Sequence, residues 1–219
     1  MSIGVATTMK GKKESIYDVY QRADDNMYKY KLSQVKSPRS KVIDMLLLAL
    51  SEKDFIAYGH VERLSKMAGM IADRIHLSDM EKEDLILLAK MHDLGKVGIP
   101  DEILFKPSKL SKEEYEKMKN HVYIGYKIAN RSKDLSHISN LILHHHENWD
   151  GSGYPDGLKG DQIPILCRMV SIIDAYDAMT SDRPYRKAMT REEAISELKR
   201  CSGSQFDPDL VKEFLRIIG

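Results

Sequence analysis

Cysteine is scarce: Cys167 and Cys201 are the two thiols in 219 residues. Two cysteines build no disulfide framework, and such usage fits a reducing compartment. Long apolar runs are missing as well. The longest, Val42 to Leu50, is interrupted by Asp44 and falls far short of the ~20 residues that cross a bilayer. The N-terminus carries no basic-then-apolar signal pattern. Together these features lead us to expect a cytoplasmic protein with no transmembrane segment in this sequence. Net charge of one sign is also lacking. Lysine plus arginine number 34 against 33 aspartate plus glutamate, formally +1 with eight neutral histidines. No global field then favours a nucleic-acid polymer or an anionic membrane.

The balance is uneven along the chain. Residues 1 to 40 hold 8 basic and 4 acidic side chains, which leaves 26 basic against 29 acidic and all eight histidines for the remainder. An acidic, histidine-rich body suits a cation better than a polyanion. Its length suffices for one substantial domain with its own core.

Nearly every periodic segment reads as helix, and no alternating strand pattern follows residue 36. Val61, Leu64, Met67, Ala68, Ile71, Ala72 and Ile75 form one apolar stripe. Asp79 precedes another helix, which carries Leu85, Ile86, Leu88 and Ala89. Ser111 with Glu114 has the pattern of a capping box ahead of a helix running towards Ile128, and Thr190 with Glu193 repeats it. Leu135, Ile138, Leu141, Ile142 and His145 share a further helical face. Pro164 opens a helix through Tyr176, and Asp207-Pro208 opens the last. The expectation is an all-α body of about seven helices. Two long loops interrupt it, one after Leu94 and a glycine-rich one from Asp150 to Gly160. The N-terminal segment differs: Ser2 to Thr8 reads as a short strand and Ser15 to about Gln34 as a helix, closed by Ser37-Pro38. A lone strand has no ladder partner, so it reads as the end of something larger. We place the boundary between residues 1–36 and 37–219.

His92-Asp93 falls at the end of a predicted helix. Adjacent residues inside a regular helix diverge by ~100°, but at a terminus both side chains can turn to one ion. His60, His121, His145, His146 and Asp174 each lie on or beside an apolar helical face. One histidine so placed is ordinarily a satisfied core residue. Five histidines and two aspartates on separate helices need partners that a core does not supply, and divalent cations would satisfy them together. Mixed imidazole and carboxylate ligation favours iron, manganese or zinc over magnesium or calcium. There are too many ligands for one ion, so two are expected. The lack of thiolates argues against a structural zinc knot. Lys96 follows the His92-Asp93 pair, and Asp177 shares a helical face with Asp174. Arg183 and Arg186 flank Pro184-Tyr185 just beyond; arginines near such a centre suit a phosphate or a guanine edge.

These residues resemble the HD-GYP domain, a branch of the HD metal-dependent phosphohydrolases. The matching strings are HVERL at His60, HDLGKVGIPDEILFKP at His92, HVYIG at His121, HHENWDGSGYPDGLKG at His145, IPILCRMVSIIDAYDAMTSDRPYR at Ile163 and FDPDLV near the end. The resemblance implies an HD-type helical bundle that hydrolyses cyclic di-GMP, to the linear dinucleotide or GMP, by hydroxide bridging two metals. Iron or manganese is implied first, with zinc, cobalt or nickel as alternatives. It also implies metal ligands at His60, His92, Asp93, His121, His145, His146 and Asp174. Asp93 and Lys96 would be the catalytic residues. Lys96, Tyr154, Asp177, Arg183 and Arg186 would serve the substrate. Members with three metals carry a glutamate four residues before the first ligand histidine. Ile56 stands there, so a dinuclear centre is expected.

The strings SIGVA and ADDNMYKYK resemble the closing strand and helix of a GGDEF domain, without its signature. That resemblance implies an upstream GGDEF or sensor domain in a longer parent protein, and a homodimer through the N-terminal helix. Two other readings of the body stay open: a phosphohydrolase for another nucleotide, and a catalytically silent nucleotide- or metal-binding signalling module.

Overall fold

Hydroxyl caps mark three of the helix starts. Ser78, Ser111 and Thr190 each accept from the amide three residues on, and the glutamate at that position accepts in return from the cap amide, at 2.9 Å for Glu81, 2.7 Å for Glu114 and 2.8 Å for Glu193. Each box satisfies donors that a helix N-terminus otherwise leaves unpaired. Asp207 caps the last helix, with Pro208 in its first turn. The structure is a computed structural model that describes residues 45, 46, 57–182 and 187–219. The strand and helix expected before residue 36, Ile56, and the segment holding Arg183 and Arg186 lie outside the described residues.

In chain order the helices are α1 (Ala57–Arg74), α2 (Asp79–Met91), the single turn α3 (Asp101–Leu104), α4 (Lys112–Lys119), α5 (His121–Arg131), α6 (Ser139–His144), α7 (Ile165–Thr180), α8 (Arg191–Arg200) and α9 (Pro208–Ile218). Tight 3-10 turns occupy Leu94–Gly98, Ser136–Ile138 and Gly160–Gln162. Among the described residues the architecture is all-α, as the periodicity predicts.

One predicted helix is two. The stretch from Ser111 towards Ile128 breaks at Asn120, whose amide bonds back three residues to Lys117 at 3.1 Å and tightens the last turn of α4. His121 thereby becomes the first residue of a new helix rather than a mid-helix side chain. Likewise the face predicted from Leu135 to His145 is split between a 3-10 turn and the short α6, so His145 and His146 stand just past a helix end.

Helix α7 occupies the centre and packs against α1, α2, α6, α8 and α9. Its Met169, Val170, Ile172 and Ile173 are buried, and they meet a core that includes Leu64, Ala68 and Ile71 of α1, Leu85 and Leu88 of α2, and Phe214 of α9. Burial of this apolar surface is the main force holding the bundle. The turn after α2 is pressed onto α5 at Gly95: a Cβ there would lie 1.8 Å from the His121 carbonyl oxygen and 2.5 Å from the Gly125 nitrogen. That contact brings His92-Asp93 and His121 to one place.

Candidate metal centre

Helix α2 ends at Met91. His92 is its cap, and Asp93 leaves helical geometry at φ −89°, ψ 8°. His60 comes from the first turn of α1, His121 from the start of α5, His145 and His146 from just beyond α6, and Asp174 from the middle of α7. These side chains converge as two groups, Asp93 with His121, His145 and His146, and His60 with His92 and Asp174. Within each group one potential ligand atom per residue lies within 4.8 Å of the others.

The rings are held from behind. Nδ1 of His92 donates to the Ala89 carbonyl at 3.1 Å, that of His121 to Met118 at 2.9 Å and that of His145 to Ile142 at 2.7 Å. A carbonyl only accepts, so Nδ1 carries a proton in each ring and Nε2 is the atom turned inward. His60 is oriented by a carboxylate: its Nδ1 donates to Asp177 Oδ2 at 2.7 Å. Its Nε2 lies 3.5 Å from Asp174 Oδ1. One imidazole therefore sits between two carboxylates of α7. Asp93 lies between the groups, with Oδ2 3.4 Å from His92 Nε2 and Oδ1 3.7 Å from His121 Nε2.

The electrostatics suit cations. Burial and the neighbouring imidazoles hold His145 well below its ordinary pKa, and burial, then His121, pushes His146 down to about 3. Burial also lowers His121. These rings are neutral electron-pair donors at physiological pH. Burial opposes charging of His92, yet Asp93 and Asp174 outweigh it and raise the ring to about 9. Burial likewise opposes ionisation of Asp93, but Lys96 and the histidines hold it well below the carboxylate range. His92 Nε2 is buried without a hydrogen-bond partner. An orphaned ring nitrogen among carboxylates and inward lone pairs is the donor chemistry of a divalent-cation site.

The surroundings complete a cleft. Lys96 Nζ lies 2.8 Å from Asp93 Oδ2. The Tyr154 ring stacks on His146 with centroids 4.9 Å apart, and burial raises its phenol, which stays protonated. A cleft of about 170 Å³ is lined by His92, His145, His146 and Asp174, together with Glu147, Asn148 and Ser171. The Asp150–Gly160 loop is tied down at both ends. Asp150 N–H donates to the Ser204 carbonyl at 2.8 Å, and Gly160 N–H to Trp149 at 2.9 Å. Gly153 is needed for close approach, since a Cβ would lie 2.3 Å from the Asn148 nitrogen.

Three side chains escape the sequence reading or differ from it. Asp177, expected beside the substrate, is 3 % exposed with both oxygens engaged: Arg63 Nε donates to Oδ1, and Arg63 Nη2 donates to Oδ2 at 2.9 Å. Its carboxylate backs His60 rather than facing the cleft. The local mark of Arg63 in the sequence is its spacing three residues after His60, and Glu147 has no such mark. Its buried carboxylate accepts from Asp156 N–H at 2.8 Å and Leu158 N–H at 3.0 Å, and backbone amides leave no mark in a sequence.

Residues 44–210 match the HD domain family. The chain belongs to that family. This HD domain is 40 % identical over 179 residues to a cyclic di-GMP phosphodiesterase of Thermotoga maritima, covering 81 % of the chain and 49 % of that protein. It is 38 % identical over 187 residues to a cyclic di-GMP phosphodiesterase response regulator of Xanthomonas campestris pv. campestris, covering 84 % of the chain and 50 % of that protein. The chain thus spans about half the length of these curated relatives. In fold, the HD domain superposes on the crystal structure of a cyclic GMP-AMP-specific phosphodiesterase of Vibrio cholerae with a TM-score of 0.61 at 21 % identity, over 81 % of this chain and 48 % of that one. Among the described residues no helix is long and apolar enough to cross a membrane.

Proposed function

We propose that this HD domain protein is a metal-dependent phosphodiesterase that hydrolyses cyclic di-GMP. The observation that carries the reading is Asp93, one oxygen 3.4 Å from His92 Nε2 and the other 3.7 Å from His121 Nε2. That carboxylate lies between the two histidine-rich groups and would let them act as one dinuclear site. His60, His92 and Asp174 would hold one divalent ion, and His121, His145 and His146 the other, with Asp93 shared. The mixed donor set suits iron, manganese or zinc, and the HD-GYP resemblance puts iron and manganese first. Two such ions supply Lewis acidity and acidify water at neutral pH.

The chain's own groups do the rest. Lys96, 2.8 Å from Asp93, sets an ammonium where charge grows on the phosphoryl oxygens. Tyr154 stacks on His146, beside one of the cleft's lining rings, and keeps its proton. Asp177 fixes the tautomer and direction of His60. Arg183 and Arg186 are assigned to the substrate on their sequence positions. The names of the relatives from T. maritima and X. campestris support the substrate class. Residues 1–36 are assigned as a GGDEF-like remnant or linker helix that pairs two chains, residues 37–219 as the catalytic domain, and the cytoplasm as the compartment.

The test is anaerobic purification with metal content per chain, then turnover of cyclic di-GMP, other cyclic dinucleotides and linear nucleotides by the iron and manganese forms. Near two ions per chain and preferential cleavage of cyclic di-GMP are expected. Failure of every metal form to cut a cyclic dinucleotide would sink the proposal.

A further inference from the structure

A cyclic dinucleotide carries two phosphates and two purines, and the metal groups with Lys96 account for one phosphate. The structure offers a place for the other half. Tyr154 stacks on His146 and faces outward to Lys119, whose Nζ lies 5.4 Å from the Tyr154 ring centroid. The same Nζ lies 5.0 Å from the ring centroid of Tyr115. One ammonium thus sits over two phenol rings from distant parts of the chain, a cation–π arrangement. The contact with Tyr115 is ordinary i,i+4 spacing on α4; the contact with Tyr154 is not, because it ties α4 to the glycine-rich loop.

The exposures fit a ligand surface. The Lys119 side chain is only 27 % exposed, whereas Tyr115 at the outer end is 48 % exposed. Helix α4 contributes no buried residue to the core, so its placement against the rim is not explained by packing of its own apolar face. Lys119 Nζ also lies 2.7 Å from Glu116 Oε1. That carboxylate is 67 % exposed, and exposed pairs of this kind are worth little, so an arriving phosphate can take its place.

Resting on the reading of the site as a cyclic-dinucleotide phosphodiesterase, we infer that Tyr115 and Lys119 bind the uncut half of the substrate. The Tyr115 ring stacks a purine, and the Lys119 ammonium meets the second phosphate. Base stacking on an aromatic ring is sequence-tolerant and strong enough for one substitution to be read.

The experiment uses the full metal-loaded chain as wild type, Tyr115→Ala, Tyr115→Phe and Lys119→Met. Tyr115→Ala and Lys119→Met should each lower selectivity for cyclic di-GMP over bis(4-nitrophenyl) phosphate, a diester without purines, by about tenfold. The loss should appear in KM, with metal content per chain preserved and Tyr115→Phe near wild type. Selectivity unmoved by Tyr115→Ala and Lys119→Met, or metal lost along with activity, would overturn the inference. If wild type leaves cyclic di-GMP uncut, its Kd is measured by calorimetry instead. Binding that the two variants weaken would then keep the shelf and sink the proposed activity; absent or unaltered binding would sink both.

Discussion

The Nε2 atoms of His121 and His145 face one another at 3.4 Å, while each ring's Nδ1 donates to a backbone carbonyl. Two inward lone pairs at that distance repel unless positive charge lies beside them. Metal binding should therefore be linked to folding stability. Chelator-treated protein is expected to melt below the iron- or manganese-loaded protein, by the equivalent of about 3–4 kcal/mol for each bound ion when free metal exceeds its Kd by two to three orders of magnitude. Scanning calorimetry checks this, and coincident transitions would contradict it.

Asp177 should matter through His60. Asp177→Asn keeps the shape but removes the charge that fixes the imidazole and pairs with Arg63. Affinity at the group of His60, His92 and Asp174 is expected to fall about 10- to 100-fold, visible as a drop in bound metal per chain on dialysis against a weak chelator. A stoichiometry equal to wild type would remove Asp177 from the site.

The same carboxyl sets a pH dependence. Burial alone would raise its pKa, but the hydrogen bonds from His60 and Arg63 prevail and hold it below the ordinary carboxylate range. A depressed acid stabilises the fold above its unfolded pKa of about 4, and that stability is lost as pH falls through the folded pKa. The stability gap between wild type and Asp177→Asn should be full at pH 7 and narrow below about pH 4. Denaturant titrations at the two pH values measure it; a gap that widens in acid would be the wrong sign.

Gly95→Ala tests the seam between the α2 terminus and α5. The added methyl would meet the His121 carbonyl oxygen at 1.8 Å, and that atom is backbone with no freedom to swing away. A loss of about 3 kcal/mol or more is expected, with metal affinity reduced because the clash separates Asp93 from His121. An alanine variant as stable as wild type would show that the seam is loose.

Glu147→Ala should free the glycine-rich loop. The substitution leaves the amides of Asp156 and Leu158 without their acceptor, at a cost of about 1–3 kcal/mol. Faster hydrogen exchange at those two amides and new proteolytic cleavage between Gly151 and Gly157 are the readouts. Exchange at the wild-type rate would mean that the ties from Ser204 and Trp149 hold the loop alone.

Much of the chemistry is legible in residue type alone. Imidazole and carboxylate are the groups that hold divalent ions, so His60, His92, Asp93, His121, His145, His146 and Asp174 could be picked by residue type. Helix starts at Ser111, Thr190 and Asp207 could be picked too, because a cap acts on amides two or three residues away. The break at Asn120 was not legible: the apolar period continues through it, and the tightened turn departs from α-geometry by one hydrogen bond.

The helical class, the caps and the stock of metal-binding side chains follow from the order of residues alone, since each depends on local spacing or intrinsic chemistry. The division of seven side chains into two groups, the place of Asp93 between them, the turn of Asp177 to His60 and Arg63, and the hold of Glu147 on a loop through its amides arise from packing. Those pairings follow from how α1, α2, α5 and α7 pack. Packing is set by the whole buried surface at once, and no short stretch of sequence records it.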